Sequence, residues 1–420
     1  VRLLLVLIAL AMIVEFSSGG RLTGAELLMI PFAIKALAQG KSDLPSIRHF
    51  YILAGLWFIG AISSDLINQS TFEDAVRGQA KIIFFVLNVT ALRSLVGTDR
   101  SRAVLLIFAL AVASSLRLAL GLNGDELAED PLGNAWKFGY GQLFSMASLL
   151  VSAYALRSVW LRPFSSLPPF AAAFIALMLN ARNLTGLTAL AGLVVAFIGG
   201  RRRPLSTPYL LTILAAALVV GMTVVNLYKY TASEGLLGRE AQDKYIAQNE
   251  GKLNFLLAGR TESLASTQAI IDAPIFGHGS WAHDIDYVFL MLSRMEEAGL
   301  QVNWMNVQSD LIPTHSHLLG AWVEHGILGA TFWFWALYIT IKGILAAVRR
   351  PDPLAGFVVF IGISLLWDIP FSPFGLERRM VTAVWLYLMI LYADRGKATA
   401  PASPKVITNK FFTASKVKGH

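Results

Sequence analysis

The 420-residue chain contains no cysteine and little charge, since Asp, Glu, Lys and Arg make up only 15% of it, against about 25% in an average soluble domain. The first absence excludes disulfides, thiolate metal sites, iron–sulfur clusters and cysteine nucleophiles together, and leaves no mark of the redox compartment. The second, with 55% hydrophobic residues and a mean hydropathy of +0.58, excludes a cytosolic globular enzyme. A soluble chain of this length alternates charged and apolar stretches. Also missing are a phosphate-cradling glycine loop, an HExxH zinc motif, paired carboxylates of the glycosidase kind and any repeat of period 20 to 50. Chemistry therefore falls to His, Arg, Lys, Asp, Glu and hydroxyls.

What the chain does contain is apolar runs of membrane-crossing length. Windows of roughly 15 to 25 apolar residues fall near 3–14, 22–38, 50–67, 81–97, 103–121, 138–156, 167–180, 185–199, 208–227, 322–346, 355–371 and 379–393. They predict an all-α polytopic membrane protein with about twelve transmembrane helices. The windows at 3–14, 167–180 and 185–199 are short, so tilt, half-helices or bilayer thinning enter there. Alternate connections carry Lys41 and Arg48, Arg100 and Arg102, Arg157 and Arg162, Arg201, Arg202 and Arg203, and Arg349 and Arg350. The positive-inside rule puts these in the cytoplasm. The tail after Tyr392, with Arg395, Lys397, Lys405, Lys410, Lys416 and Lys418, follows them and reads as disordered and lipid-contacting. Both termini are then cytoplasmic. The net charge of +8 reflects inner loops rather than affinity for nucleic acid. Arg2 followed by an apolar run also fits a signal peptide, but no clean small-x-small site follows, and parity favours a first membrane helix.

The organisation expected is a nine-helix transmembrane bundle over 1–227, one large outer loop with amphipathic helices over 228–314, a motif helix and the last three membrane helices over 315–393, and a basic tail over 394–420. Outer connections include the acidic stretch Asp125, Glu126, Glu129 and Asp130 and the large loop itself. From Lys229 to Asp310 that loop holds six basic and eleven acidic side chains, which argues against anionic lipid or nucleic acid as its partner. Val288, Met291, Leu292 and Met295 recur at helical spacing with Gly299 as a stop. Such a helix lies on the membrane surface or on the bundle. Upstream, Gly259-Arg260-Thr261-Glu262 opens a helical stretch through Ile271 that ends at Pro274, and Ile275-Phe276-Gly277-His278-Gly279 follows as a turn. Arg260 sits at that helix start, beside amides that favour anions; pairing with Glu262 or Asp272 is the alternative.

After Pro313 comes Thr314-His315-Ser316-His317-Leu318-Leu319-Gly320-Ala321-Trp322-Val323-Glu324-His325-Gly326-Ile327-Leu328-Gly329-Ala330-Thr331. With a helix running from 315, Leu319, Trp322, Gly326 and Gly329 share a face with His315, and the two glycines let a neighbouring helix approach. His317 then points about 160° away and Glu324 to the opposite side. On that geometry the three histidines cannot chelate one metal and Glu324 cannot orient His315. His315 at the outer boundary suits general-base work because its ordinary pKa is near neutrality; a buried His bonded to a carbonyl is the structural alternative. Arg182, a lone charge between two apolar runs, is a functional suspect or a snorkelling interfacial Arg.

This segment resembles the O-antigen ligase and polymerase superfamily, bacterial membrane glycosyltransferases that take glycans from undecaprenyl diphosphate. The family pattern is His, then Asn, Ser or Gln, nine residues, Gly, four residues, and Gly, Thr or Tyr. His315, Ser316, Gly326 and Thr331 fit each fixed position, and the large outer loop ahead of the motif fits the family's shape. The resemblance implies that His315 is the catalytic base, with His317 out of register. It also implies that arginines on the periplasmic side hold the diphosphate, here Arg260 after Gly259 and Arg182 in Asn180-Ala181-Arg182-Asn183. The chain departs from the family in lacking a Trp soon after Arg260.

The function so implied is transfer of a glycan at the periplasmic face of the bacterial inner membrane, without metal or cofactor. Arg182 and Arg260 neutralise the diphosphate while His315 deprotonates the acceptor hydroxyl. The partners implied are the undecaprenyl-diphosphate-linked donor, a lipid A core or lipid-linked glycan acceptor, and the bilayer. Ligation of O-antigen to lipid A core is the first reading and polymerisation the second. A small-anion transporter and a non-catalytic assembly partner are the readings from other classes. Accessory candidates are Lys137, Asp368, Arg378, Arg379 and His278; Arg378 and Arg379 break the positive-inside pattern, which favours an anion partner.

Overall fold

A computed structural model describes residues 1–17, 21–40, 44–122, 134–198, 201, 204–239, 242, 245–246, 260–300, 302, 304, 307, 309–350 and 352–395. The acidic stretch 125–130, Lys41, Arg202, Arg203, Gly259 and the tail beyond Arg395 lie outside these residues. The described chain is helical apart from one short antiparallel ladder. In order the elements are α1 (Arg2–Ala11), β1 (Glu15–Ser17), β2 (Arg21–Thr23), α2 (Gly24–Ala38), α3 (Pro45–Ile67), α4 (Phe72–Leu95), α5 (Arg100–Ala119), α6 (Gly141–Ala155), α7 (Leu167–Met178), α8 (Arg182–Ile198), α9 (Thr207–Ser233), α10 (Glu262–Asp272), α11 (Ile285–Glu297), α12 (His317–Arg349), α13 (Ala355–Phe371) and α14 (Leu376–Ala393). Every apolar window falls on a helix, α1 to α9 and α12 to α14. Among the described residues α3, α4, α5, α12 and the Leu211–Ser233 part of α9 are long and apolar enough to cross a membrane, whereas α1, α6, α8 and α13 are apolar but shorter.

Local chemistry sets the helix starts. Thr23 and Glu26 form a reciprocal capping box at α2, each side chain taking one of the amides that the first turn leaves unbonded. Thr71 caps α4, and the Asp99 carboxylate accepts from two amides of α5. The interior is aromatic where α3, α4 and α12 cross. Trp57 stacks on Phe332 at 5.1 Å, and Phe85, Trp333 and Phe374 close around them edge-on, the arrangement that ring quadrupoles favour.

The two ends of the bundle differ. At one end the 97–101, 157, 349–350, 352–354 and 392–395 segments meet around Asp352, which takes Arg395 at 3.2 Å and Arg100 at 3.6 Å, while Arg157 lines the same small pocket. Asp394 binds the Ser46 amide and hydroxyl, each at 2.8 Å, which ties α14 to the start of α3. These are the connections that the charge pattern assigns to one side. The 68–74, 275–281, 309–316 and 372–376 segments gather elsewhere, around a cavity.

The separate loop domain expected over 228–314 is corrected in part. Helix α9 runs to Ser233, and the described residues from 260 onward are built into the bundle. Helices α10 and α11 form where the spacing predicts them, with Gly299 ending α11 at φ 81°. Arg294 on α11 bonds the Leu264 carbonyl and Gln268 of α10. The 275–281 turn threads against α12 and donates amides to it.

That threading overturns the continuous motif helix. Ser316 is extended and its hydroxyl accepts from the Leu319 amide, so α12 begins at His317 and His315 stands before it, off the shared face. At Gly326 the backbone takes φ 65° and ψ −159°, a region open essentially to glycine alone. The carbonyls of Val323 and Glu324, released by this break, are taken by the amides of His278 at 2.7 Å and Gly279 at 3.1 Å, and Ser64 donates to Glu324 as well. The Ile327 amide finds the Ile275 carbonyl. Gly326 and Gly329 therefore serve a broken helix rather than a close neighbouring one; a Cβ on Gly329 would lie 2.3 Å from the Ala321 carbonyl oxygen.

Candidate active site

The cavity encloses about 1460 Å³ between α4, α11, α12 and the 373–379 segment. One part of its wall is apolar, with Val288, Met291 and Leu292 of α11 and Phe84 of α4. The spacing that marked α11 as amphipathic thus turns its apolar face to the cavity as well as to α10. Charged side chains also line it: Arg21, Arg77, Lys81, Arg378 and Arg379 against Glu73, Glu262 and Glu324.

His315 lies on this wall with 40% of its side chain exposed, and its Nδ1 stands 3.9 Å from Glu262 Oε1 at the start of α10. Burial holds the imidazole below its ordinary value. The Glu262 carboxylate opposes that, and the charges of Arg260 and Arg378 reinforce it. The result is a base that stays neutral and able to accept a proton, with a carboxylate beside it to stabilise the imidazolium once formed. Thr314 and Ser316 line the wall on either side of it, and the Ser316 hydroxyl bonds the Ile369 carbonyl, which fixes the backbone there.

The other candidates divide. Arg378 reaches the cavity and is held by Asp368 at 2.6 Å; Asp368 also accepts the Ser372 hydroxyl, so it orients Arg378 and not His315. Arg379 lines the wall as one half of a buried pair, with both carboxylate oxygens of Glu26 at 2.5 and 2.6 Å. His317 is buried among Trp333 and Phe374, with Nδ1 2.6 Å from the Ser372 carbonyl. It is the carbonyl-bonded histidine of the structural alternative, which His315 is not. His278 likewise holds the Ala269 carbonyl at 2.8 Å. Arg182 does not line the cavity; its guanidinium lies over the Tyr228 ring at 4.8 Å. Lys137 is exposed on the turn before α6, also away from the wall. Among the described residues no group of three or more His, Asp or Glu is placed to hold a metal.

Several residues of the site have partners that no local signature marks. Lys81 meets Glu324 at 2.5 Å across the cavity floor. Beneath them, Trp57 donates its indole N–H to His325 Nδ1 at 2.9 Å, which leaves Nε2 as the protonated nitrogen. It faces the Ser280 hydroxyl at 3.1 Å, and Ser280 bonds Asp65 through both its hydroxyl and its amide. This sealed chain fastens the 275–281 turn to α3. A cation or carboxylate inside an apolar run, as Lys81 and Glu26 are, is the signal that marks such positions in sequence; their partners are not marked.

Glu26 and Arg379 carry a direct test. Removing one partner strands a buried charge at about 3–5 kcal/mol, whereas removing both is close to neutral. Arg379→Met is expected to lower the thermal midpoint in detergent strongly, and Glu26→Gln with Arg379→Met to recover most of the loss. Equal midpoints for the single and double variants would show that the pair does not act as a unit.

No protein-family model and no curated protein matches the chain.

Proposed function

We propose that the protein is a multi-pass membrane glycosyltransferase that moves a glycan from undecaprenyl diphosphate to an acceptor hydroxyl at the periplasmic face, with O-antigen ligation to lipid A core as the first assignment. In this reading the chain crosses the bacterial inner membrane about twelve times with both termini in the cytoplasm. The gathering of the arginine-bearing connections at one end of the bundle supports it.

The observation that carries the proposal is His315 on the wall of a large, part-apolar cavity that Glu262 and Arg378 also line; Arg260 is not on that wall, but its charge bears on His315. His315 takes the proton of the acceptor hydroxyl as that oxygen bonds to the anomeric carbon. The bond from that carbon to the phosphate oxygen breaks, and undecaprenyl diphosphate leaves with the electron pair. Arg378 on the wall holds the diphosphate, joined by Arg260 as the motif resemblance implies, because guanidinium stays charged and bonds two oxygens at once. The polyprenyl chain lies along the apolar face of α11. No step draws on a metal or cofactor, since the donor carries its own activation.

The test is transfer by purified protein from synthetic undecaprenyl-diphosphate oligosaccharide in EDTA, with lipid A core and a second lipid-linked repeat as competing acceptors. Product on the core assigns a ligase, and product on the repeat a polymerase. No product with either acceptor overturns the proposal and favours a transporter or assembly partner.

Glu262→Gln gives a second expected result. Loss of the carboxylate removes the influence that raises the His315 pKa, so the acid limb of the pH–rate profile moves to lower pH. The plateau falls because the imidazolium is no longer stabilised. An unmoved acid limb would show that Glu262 does not act on His315.

A further inference from the structure

The turn that clamps the bundle has three left-handed residues in alternate positions: Gly277 at φ 76°, Gly279 at φ 93° and Trp281 at φ 52°. At Gly277 glycine is required by space as well as by conformation, and at Gly279 an added carbon would displace the Ser70 hydroxyl. A Cβ on Gly277 would stand 2.6 Å from the Val323 carbonyl oxygen, and one on Gly279 2.3 Å from Ser70 Oγ. The third position has the same backbone demand and carries the bulkiest side chain there is. Any residue with a Cβ is disfavoured in that conformation, and such strain persists only where the surroundings impose it. Here both neighbours are pinned. The Ser280 amide donates to Asp65 at 2.7 Å, and the Ala282 carbonyl accepts from the Ile312 amide at 2.9 Å.

The indole does not offset the strain by burial. Trp57 and Trp333 are fully buried, and although Trp57 also borders the cavity, Trp281 alone of the three is exposed there, at 39%. Arg77 sits over its ring at 6.0 Å, and Glu73, one helical turn before it, pairs with Arg77 on the same wall. A flat indole with charged hydrogen-bonding groups beside it matches a pyranose ring, which has a C–H face and a rim of hydroxyls. A polyprenyl chain in the same place would desolvate the Glu73–Arg77 pair and add no hydrogen bond to it. An indole serving as a bilayer-interface anchor belongs on the outside of the bundle, not on a cavity wall.

We propose that Trp281 is a sugar-stacking platform, on which a pyranose of the transferred or accepting glycan lies while Glu73 and Arg77 bond its hydroxyls. This rests on the glycan-transfer reading and names a specificity determinant within it. The test is saturation-transfer NMR on the full-length protein in nanodiscs, with methyl glucoside, galactoside, mannoside and rhamnoside as probes. The expected result is transfer from aromatic protons to the ring protons of at least one glycoside, at least fivefold weaker in Trp281→Leu and largely kept in Trp281→Phe, with all three proteins melting alike. Absence of signal from all four glycosides with the unaltered protein, or equal signal from the Leu variant, overturns the proposal. The two readings fail separately. Trp281-dependent binding without any glycosyl transfer removes the catalytic reading and leaves the platform. Transfer with an unchanged KM in Trp281→Leu removes the platform and leaves the enzyme.

Discussion

His315→Ala is expected to reduce glycan transfer by about 10²- to 10⁴-fold, the usual contribution of a positioned general base. Folding and donor binding should be retained. The side chain is 40% exposed and stands before α12 rather than in its packed face, so its removal leaves no core cavity. His317→Ala is the contrasting variant. Its ring is buried against Trp333 and Phe374 and holds the Ser372 carbonyl, so its loss is expected to lower the thermal midpoint first and activity only as a consequence. Initial rates with the lipid-linked donor, alongside melting curves for both variants, separate the two. A His315→Ala protein that melts normally and transfers at the original rate would remove the histidine from the chemistry and leave the transferase proposal without its base.

Gly326→Ala is expected to prevent accumulation of folded protein. The backbone there occupies a region that any Cβ makes strained by about 1–3 kcal/mol, and the added carbon would lie 1.9 Å from the Ile275 carbonyl oxygen. Relief requires the 275–281 turn to withdraw. The Val323 and Glu324 carbonyls would then lose the His278 and Gly279 amides, and each buried group left unbonded costs about 1–3 kcal/mol more. Gly55→Ala in α3 is the matched control. A Cβ there meets nothing within 4 Å, and alanine in a helix is favoured over glycine by about 1 kcal/mol. Monodispersity and melting in detergent read both variants. A Gly326→Ala protein as stable as the Gly55→Ala one would show that the break in α12 is not needed.

The site was legible in sequence to the extent that its parts are local. His315 stands out by its motif spacing, Arg260 by the helix start that follows it, and α11 by its apolar recurrence. Arg378 stands out as a charge on the wrong side of the positive-inside pattern. What was misread came from assuming an unbroken helix. On a regular helix, Gly326 is a smooth patch for a neighbour; with φ 65° it is a joint, and the segment that fills the joint lies about fifty residues earlier in the chain. Asp368 shows the same limit, since its partner Arg378 lies on the next helix and no spacing rule links them.

Composition and hydropathy by themselves determined that this chain is helical and apolar, where its helices run, and which connections share a charge sign. These properties follow from residue-by-residue transfer energies and local capping. Only the tertiary structure decided that the described part of the large loop is clamped into the bundle, that α12 breaks at Gly326 and that His315 stands exposed on the cavity wall while His317 is buried. It also decided that Glu262, Lys81, Glu324 and Trp281 belong to the same wall. Those facts depend on which groups, distant in sequence, satisfy one another's charges and hydrogen bonds, and that is settled by packing the whole chain.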